Sequence, residues 1–145
     1  MNEDILFTVK DNEYSAGKLD AKRQFHIIRR LLPFMESFVQ EGHFSDGFNE
    51  ASIGAFLKMA GTIPDEQLDY VIDHCISVVK RKDGDRWAAV STPLPNGGRA
   101  LQYGDIDMTA MLIIVFNVLK RNLAGFFDAL PSDFAEKFKG MGSAM

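Results

Sequence analysis

The chain has 145 residues, 46% of them hydrophobic, and a formal net charge of −4, which is enough for one domain burying roughly 68–70% of its unfolded surface. Its single cysteine excludes an internal disulfide and fits a reducing, cytosolic setting. No apolar run approaches the ~20 residues of a membrane-spanning helix, and the acidic opening MNEDILFTVKD has too short an apolar core for a signal peptide, so a soluble, unprocessed chain is expected.

In chain order, ILFTV (Ile5 to Val9) is β-branched and aromatic, and the turn signal KDNE after it predicts a hairpin returning through Tyr14 to Lys18. A helix follows with Asp20 as its N-cap. At 3.6 residues per turn, Phe25, Ile27, Ile28, Leu31, Leu32, Phe34, Met35, Phe38 and Val39 fall on one face, and Lys22, Arg23, His26, Arg29, Arg30 and Ser37 on the other. Pro33 projects within the polar face, where water can satisfy the carbonyl it orphans, so it reads as an outward bend around the core.

After the loop GHFSDGF, Asn49 to Ala60 reads as a second helix with Ile53, Phe56, Leu57 and Ala60 inward. Pro64 opens a third, whose stripe of Leu68, Val71, Ile72, Cys75, Val78 and Val79 predicts helix through Lys82, with acids early and Lys80, Arg81 and Lys82 at its end as the helix dipole prefers. DGDR breaks that helix. WAAVS and RALQYGDI, joined by TPLPNGG, suggest a second hairpin. Asp107 can cap the longest helix, Met108 to Phe127, whose wide apolar arc leaves Asn117, Lys120 and Arg121 as its main polar strip.

LPSDFAEKF adds a short helix and GMGSAM should fray. The expected architecture is α+β and mostly helical: about four helices, an N-terminal hairpin and a second short hairpin before the long C-terminal helix. It forms one globular domain over 1–139, with a flexible tail at 140–145.

Chemistry is sparse along this chain. His74 and Cys75 are adjacent, but helical neighbours project about 100° apart, and Cys75 sits in the apolar stripe, so it reads as a small core residue. Asp69, Asp73 and Glu66 read as a solvated acidic face, and the DGD at Asp83 to Asp85 lacks the remaining positions of a calcium loop. Gly97 and Gly98 open no helix and fit a hairpin tip better than a phosphate cradle. His26 and His43 have no zinc-site spacing. No catalytic, cofactor or metal residue is assigned, and the chain is read as non-enzymatic.

The basic face stands out. Lys18 to Arg30 holds five basic residues and one acid, a local +4 that leaves −8 for the remainder. Such a face can meet nucleic acid, an anionic membrane, an acidic partner or the chain's own acids. With Phe25 and Phe34 assigned to the apolar side, no stacking platform accompanies the charges, and the acidic remainder repels a polyanion. A membrane would require a second anchoring signal. Charge reversal at Arg23 and Arg30, two turns apart on one side, should therefore leave folding intact.

KLDAKRQFHIIRRLLP after a short hairpin, then PDEQLDYVIDHCISVVKR, WAAV, and GDIDMTAML leading to NLAGFF, resembles the tail assembly chaperones of tailed bacteriophages and prophages across residues 5 to 128. The resemblance implies a cofactor-free protein of the bacterial host cytoplasm. It would bind the helical, aggregation-prone tape-measure protein, assist tail-tube assembly and be absent from the mature virion. By the same resemblance Lys22, Arg23, His26, Arg29 and Arg30 are candidates for partner contact, with Phe126 and Phe127 as apolar candidates. The tape-measure protein and the tail-tube protein are the implied partners, and a homo-oligomer is compatible with the reading. The alternative is a small nucleic-acid-binding regulatory protein using the basic helix 18–31.

Overall fold

A computed structural model of the protein describes residues 4–34 and 50–129, with side chains over 4–34 and 54–123. Strands β1 (Ile5–Val9) and β2 (Asn12–Ala16) form the expected hairpin, with Phe7 opposite Tyr14 and their rings stacked at 5.5 Å. Its two-residue turn places Lys10 and Asp11 at φ of 49° and 68°. Two left-handed residues in succession give the turn whose twist matches the flanking strands.

Helix α1 (Ala21–Leu31) is capped by Asp20, which accepts from the Arg23 N–H at 2.7 Å. Its Ile27, Ile28 and Leu31 are buried, whereas Phe25 is 59% exposed. The correction follows from the helical projection: Phe25 falls between Leu32 and Arg29, at the edge of the apolar face, and no described element covers that edge. Pro33 also departs from expectation. It lies in a 3-10 turn over Leu32–Phe34 that ends the α-helical pattern after Leu31, because a residue without an N–H offers the Arg29 carbonyl no partner. Met35, Ser37, Phe38, Val39 and His43 lie outside the described residues.

Helix α2 (Glu50–Ala60) buries Phe56, Met59 and Ala60, but Leu57 is exposed rather than inward. Helix α3 (Asp65–Ile76) buries Val71, Cys75 and Ile76 and then stops, six residues short of the predicted end. Ser77 closes it, donating its N–H to the Asp73 carbonyl and its hydroxyl to the His74 carbonyl. The next residues form strand β3 (Val79–Asp83), so Lys80 and Lys82 stand on the solvent face of a sheet and not at a helix terminus.

DGDR is the turn of a hairpin, with Gly84 at φ +66°, and β4 (Arg86–Ala89) pairs with β3. The predicted pairing of WAAVS with RALQYGDI is thus corrected. WAA belongs to the main sheet, and only β5 (Ser91–Pro93) pairs with β6 (Arg99–Leu101), as a separate two-stranded ribbon.

The main sheet runs β1-β2-β3-β4, antiparallel throughout, and β2 meets β3 across an interval that holds α1, α2 and α3 among the described residues. Among the described residues there are four helices, and the two sheets make the fold α+β with more strand than "mostly helical" conveys. Helix α4 (Met108–Ala129) matches the predicted long helix, with Asp107 capping the Ala110 N–H at 2.9 Å. Its Ile114, Val115, Val118 and Leu119 are fully buried, joined in one cluster by Tyr14, Ala16 and Val79 from the sheet and Ile27 and Leu31 from α1.

The segment leading into α4 is tied to the sheet by charge. Arg81 binds both oxygens of Asp105, at 2.8 and 3.0 Å, and lies over Tyr103 at 4.2 Å; Asn12 donates to Asp105, and Lys10 pairs with Asp107. The Arg81 bond first, and Arg81's charge with it, holds the Asp105 carboxyl below its ordinary value. The Lys10 and Ala110 bonds do the same for Asp107. A carboxyl that ionises more readily when folded contributes stability that is complete above its unfolded value of 3.8 and is lost as pH falls through the lower folded value. Acid titration followed by circular dichroism is therefore expected to show stability falling below about pH 4, and Asp105→Asn should make that fall shallower.

Candidate functional site

The five basic candidates all stand on α1, but not as one surface. Lys22, His26 and Arg29 face outward beside Phe25, and the Arg29 Nε donates to His26 Nδ1 at 3.1 Å. His26 is held below its ordinary value, first by desolvation and then by Arg29, Arg30, Lys22 and Arg23. Arg23 and Arg30, two turns apart, lie on the flank turned toward α3. There Arg30 is half-buried, its guanidinium 3.8 Å from the Tyr70 ring centroid and its Nη1 donating to the His26 carbonyl at 3.3 Å. Tyr70 in turn meets the His74 ring at 4.3 Å.

On the outward flank, Ala21, Gln24, Phe25 and Ile28 of α1 and Asn122 and Leu123 of α4 line an apolar hollow of about 190 Å³. Its floor is fixed by Asn122, which accepts from the Leu19 N–H and from Gln24 and donates to the Gly17 and Val118 carbonyls. Helix α1 is thereby clamped to α4 at its start. Phe126 and Phe127 lie one turn further along α4, with side chains outside the described residues.

On the opposite flank, Arg23 reaches a polar pocket of about 300 Å³ between α1, α3 and the β5–β6 ribbon, lined also by Asp73, His74, Ser77, Gly98 and Arg99. Gly97 and Gly98 form the tip of that ribbon, as expected, with Gly97 at φ +94° and the Gly98 N–H bound to Asn96. Sequence reasoning missed this pocket. Arg23, His74 and Arg99 are far apart along the chain, and only the packing of the ribbon against α1 and α3 brings them together.

Cys75, next to His74, is fully buried, and burial pushes its thiol well above the ordinary value. It is expected to resist alkylation in the native state and to react only in denaturant, as mass spectrometry after iodoacetamide treatment would show. Among the described residues no three His, Cys, Asp or Glu side chains gather as for a metal, and no helix is long and apolar enough to cross a membrane.

The arrangement combines a basic helix with an exposed aromatic, an apolar hollow on one flank and a charged pocket on the other. A family model described as "Phage tail assembly chaperone protein, TAC" matches residues 10–135. The chain belongs to the phage tail assembly chaperone family. No curated protein and no solved structure matches it. The match begins in the turn after β1 and covers every described helix, so the basic helix, the hollow and the charged pocket all fall within the family's span.

Proposed function

We propose that this chaperone binds the tape-measure protein through the outward flank of α1. Lys22, His26 and Arg29 would meet acidic side chains of an amphipathic client helix, and Phe25 with the hollow beside it would take an apolar one. The observation that carries the reading is Phe25: a phenylalanine 59% exposed within a basic helix, at the lip of an apolar hollow. A helix laid in a groove is read by apolar anchors at one-turn spacing, with flanking charges fixing its direction. Arg23, Arg30, Phe126 and Phe127 complete the proposed contact set.

In this role the protein keeps its client soluble in the host cytoplasm, without cofactor or turnover, assists addition of tail-tube protein and leaves before the virion matures. Exposure of Phe25 removes one argument against the nucleic-acid reading, since an aromatic does stand among the charges. The net charge of −4 still opposes a polyanion.

Co-expression with overlapping tape-measure fragments, followed by size-exclusion chromatography with light scattering, tests the proposal. Otherwise insoluble fragments should co-elute at a defined stoichiometry, and Phe25→Asp should release them while the chain stays folded. Client binding should weaken with salt far less steeply than binding to a nucleic acid would. Failure of every fragment to bind, or steep salt-dependent binding to nucleic acid instead, would overturn it.

A further inference from the structure

The polar pocket on the other flank of α1 has a charge pattern of its own. Among the described residues Arg23, Arg99 and Asp73 make no ion pair. Arg99 is aimed by Ser91, whose hydroxyl accepts from Nε at 2.8 Å and whose carbonyl accepts from Nη2 at 3.2 Å, leaving Nη1 without a partner among the described residues. Ser91 is itself buried and donates to the Ile76 carbonyl, so this guanidinium is held by the end of α3 and is not a loose surface side chain. Arg23 enters from α1 with its side chain exposed.

We propose that this pocket receives the carboxylate of an aspartate or glutamate side chain of the client, between the guanidiniums of Arg23 and Arg99. The inference rests on the client-binding reading of α1 and adds to it a second, charge-selective contact. Two guanidiniums and Asp73 sum to a single positive charge when His74 is neutral. That balance suits a monoanion, whereas a phosphate dianion would leave excess negative charge against Asp73. His74 reports the field inside: desolvation first, then Arg23, lower its proton affinity, with Arg30 and Arg99 adding to the effect and only Asp73 opposing it.

Two measurements on the full chain test this. In the first, acetate and inorganic phosphate are titrated while the His74 ring and the Arg99 Nε–H are followed by NMR. Acetate should give saturable shifts and raise the His74 pKa, and both effects should vanish in Arg99→Gln and in Arg23→Gln, the latter at an exposed position that does not bear on folding. Tighter binding of phosphate than acetate, or equal responses in parent and both variants, overturns the assignment.

In the second, fluorescence anisotropy compares a binding tape-measure fragment with its Glu→Gln and Asp→Asn counterparts. Arg99→Gln should weaken the acidic fragment about tenfold, the size of one charge-assisted hydrogen-bonded contact, and leave the amide form unchanged. Equal binding by parent and variant would overturn the pocket and leave the client reading standing. Saturation by acetate with no fragment bound anywhere would overturn the client reading instead.

Discussion

Asn122→Leu is expected to destabilise the protein by about 3 kcal/mol or more, although leucine matches asparagine in size and suits a buried helix face. Asn122 is 8% exposed and uses all four of its side-chain hydrogen-bonding positions. Two of its partners, the Leu19 N–H at 2.7 Å and the Gly17 carbonyl at 3.0 Å, belong to the non-helical linker between β2 and α1. Leucine would leave both buried and unpaired, at about 1–3 kcal/mol each. Gln24 would lose a partner as well, but it is only half-buried and can turn to water.

Against a typical total stability of roughly 5–15 kcal/mol the loss is large. It should appear in urea denaturation as a lower midpoint at unchanged slope. Asn117→Leu supplies the comparison. Among the described residues its Nδ2 donates only to the Ile113 carbonyl of its own helix, so that change should stay within about 0.5 kcal/mol. Equal effects at the two positions would mean that the linker is held by something other than Asn122.

The contrast between these two asparagines shows what the sequence makes legible. Both fall on α4 amid apolar residues, and reading the chain alone favours Asn117 with Lys120 and Arg121 as the polar strip. What distinguishes Asn122 is a linker more than a hundred residues away in sequence. Features whose cause is local are legible: the β1–β2 turn, the caps Asp20 and Asp107, and the extent of α4.

The end of α3 is not. Val78 and Val79 continue a helical stripe as well as they begin a strand, and no glycine or proline separates them from Ile76. The deciding interaction is the pairing of Val79 with Ala16, supplied by a hairpin far upstream. The site follows the same rule. Its basic residues are visible in KLDAKRQFHIIRR, but the exposure of Phe25 and the arrival of Arg99 beside Arg23 depend on which elements pack against α1.

Arg30→Glu is expected to cost about 2–3 kcal/mol, and Arg23→Glu under about 1 kcal/mol, although a helical projection places the two side by side as equivalent surface charges. Arg23 is exposed and makes no ion pair among the described residues. Arg30 covers the Tyr70 ring at 3.8 Å, an attraction of ~0.5–2 kcal/mol depending on how dry the contact is, and it also bonds the His26 carbonyl. Glutamate would lose both contacts and set a carboxylate against the electron-rich ring face and a carbonyl oxygen. The double reversal, fold-neutral if both charges were merely solvated, should therefore unfold at a lower temperature than the parent, with nearly all of the loss traceable to position 30. Thermal melts of the two single variants and the double variant separate the contributions. Arg30→Lys sharpens the test: a lysine keeps the charge but not the flat guanidinium that stacks, so an intermediate loss assigns part of the energy to stacking. A melt for Arg30→Glu indistinguishable from that of Arg23→Glu would mean that the Tyr70 contact contributes nothing to the packing of α1 on α3.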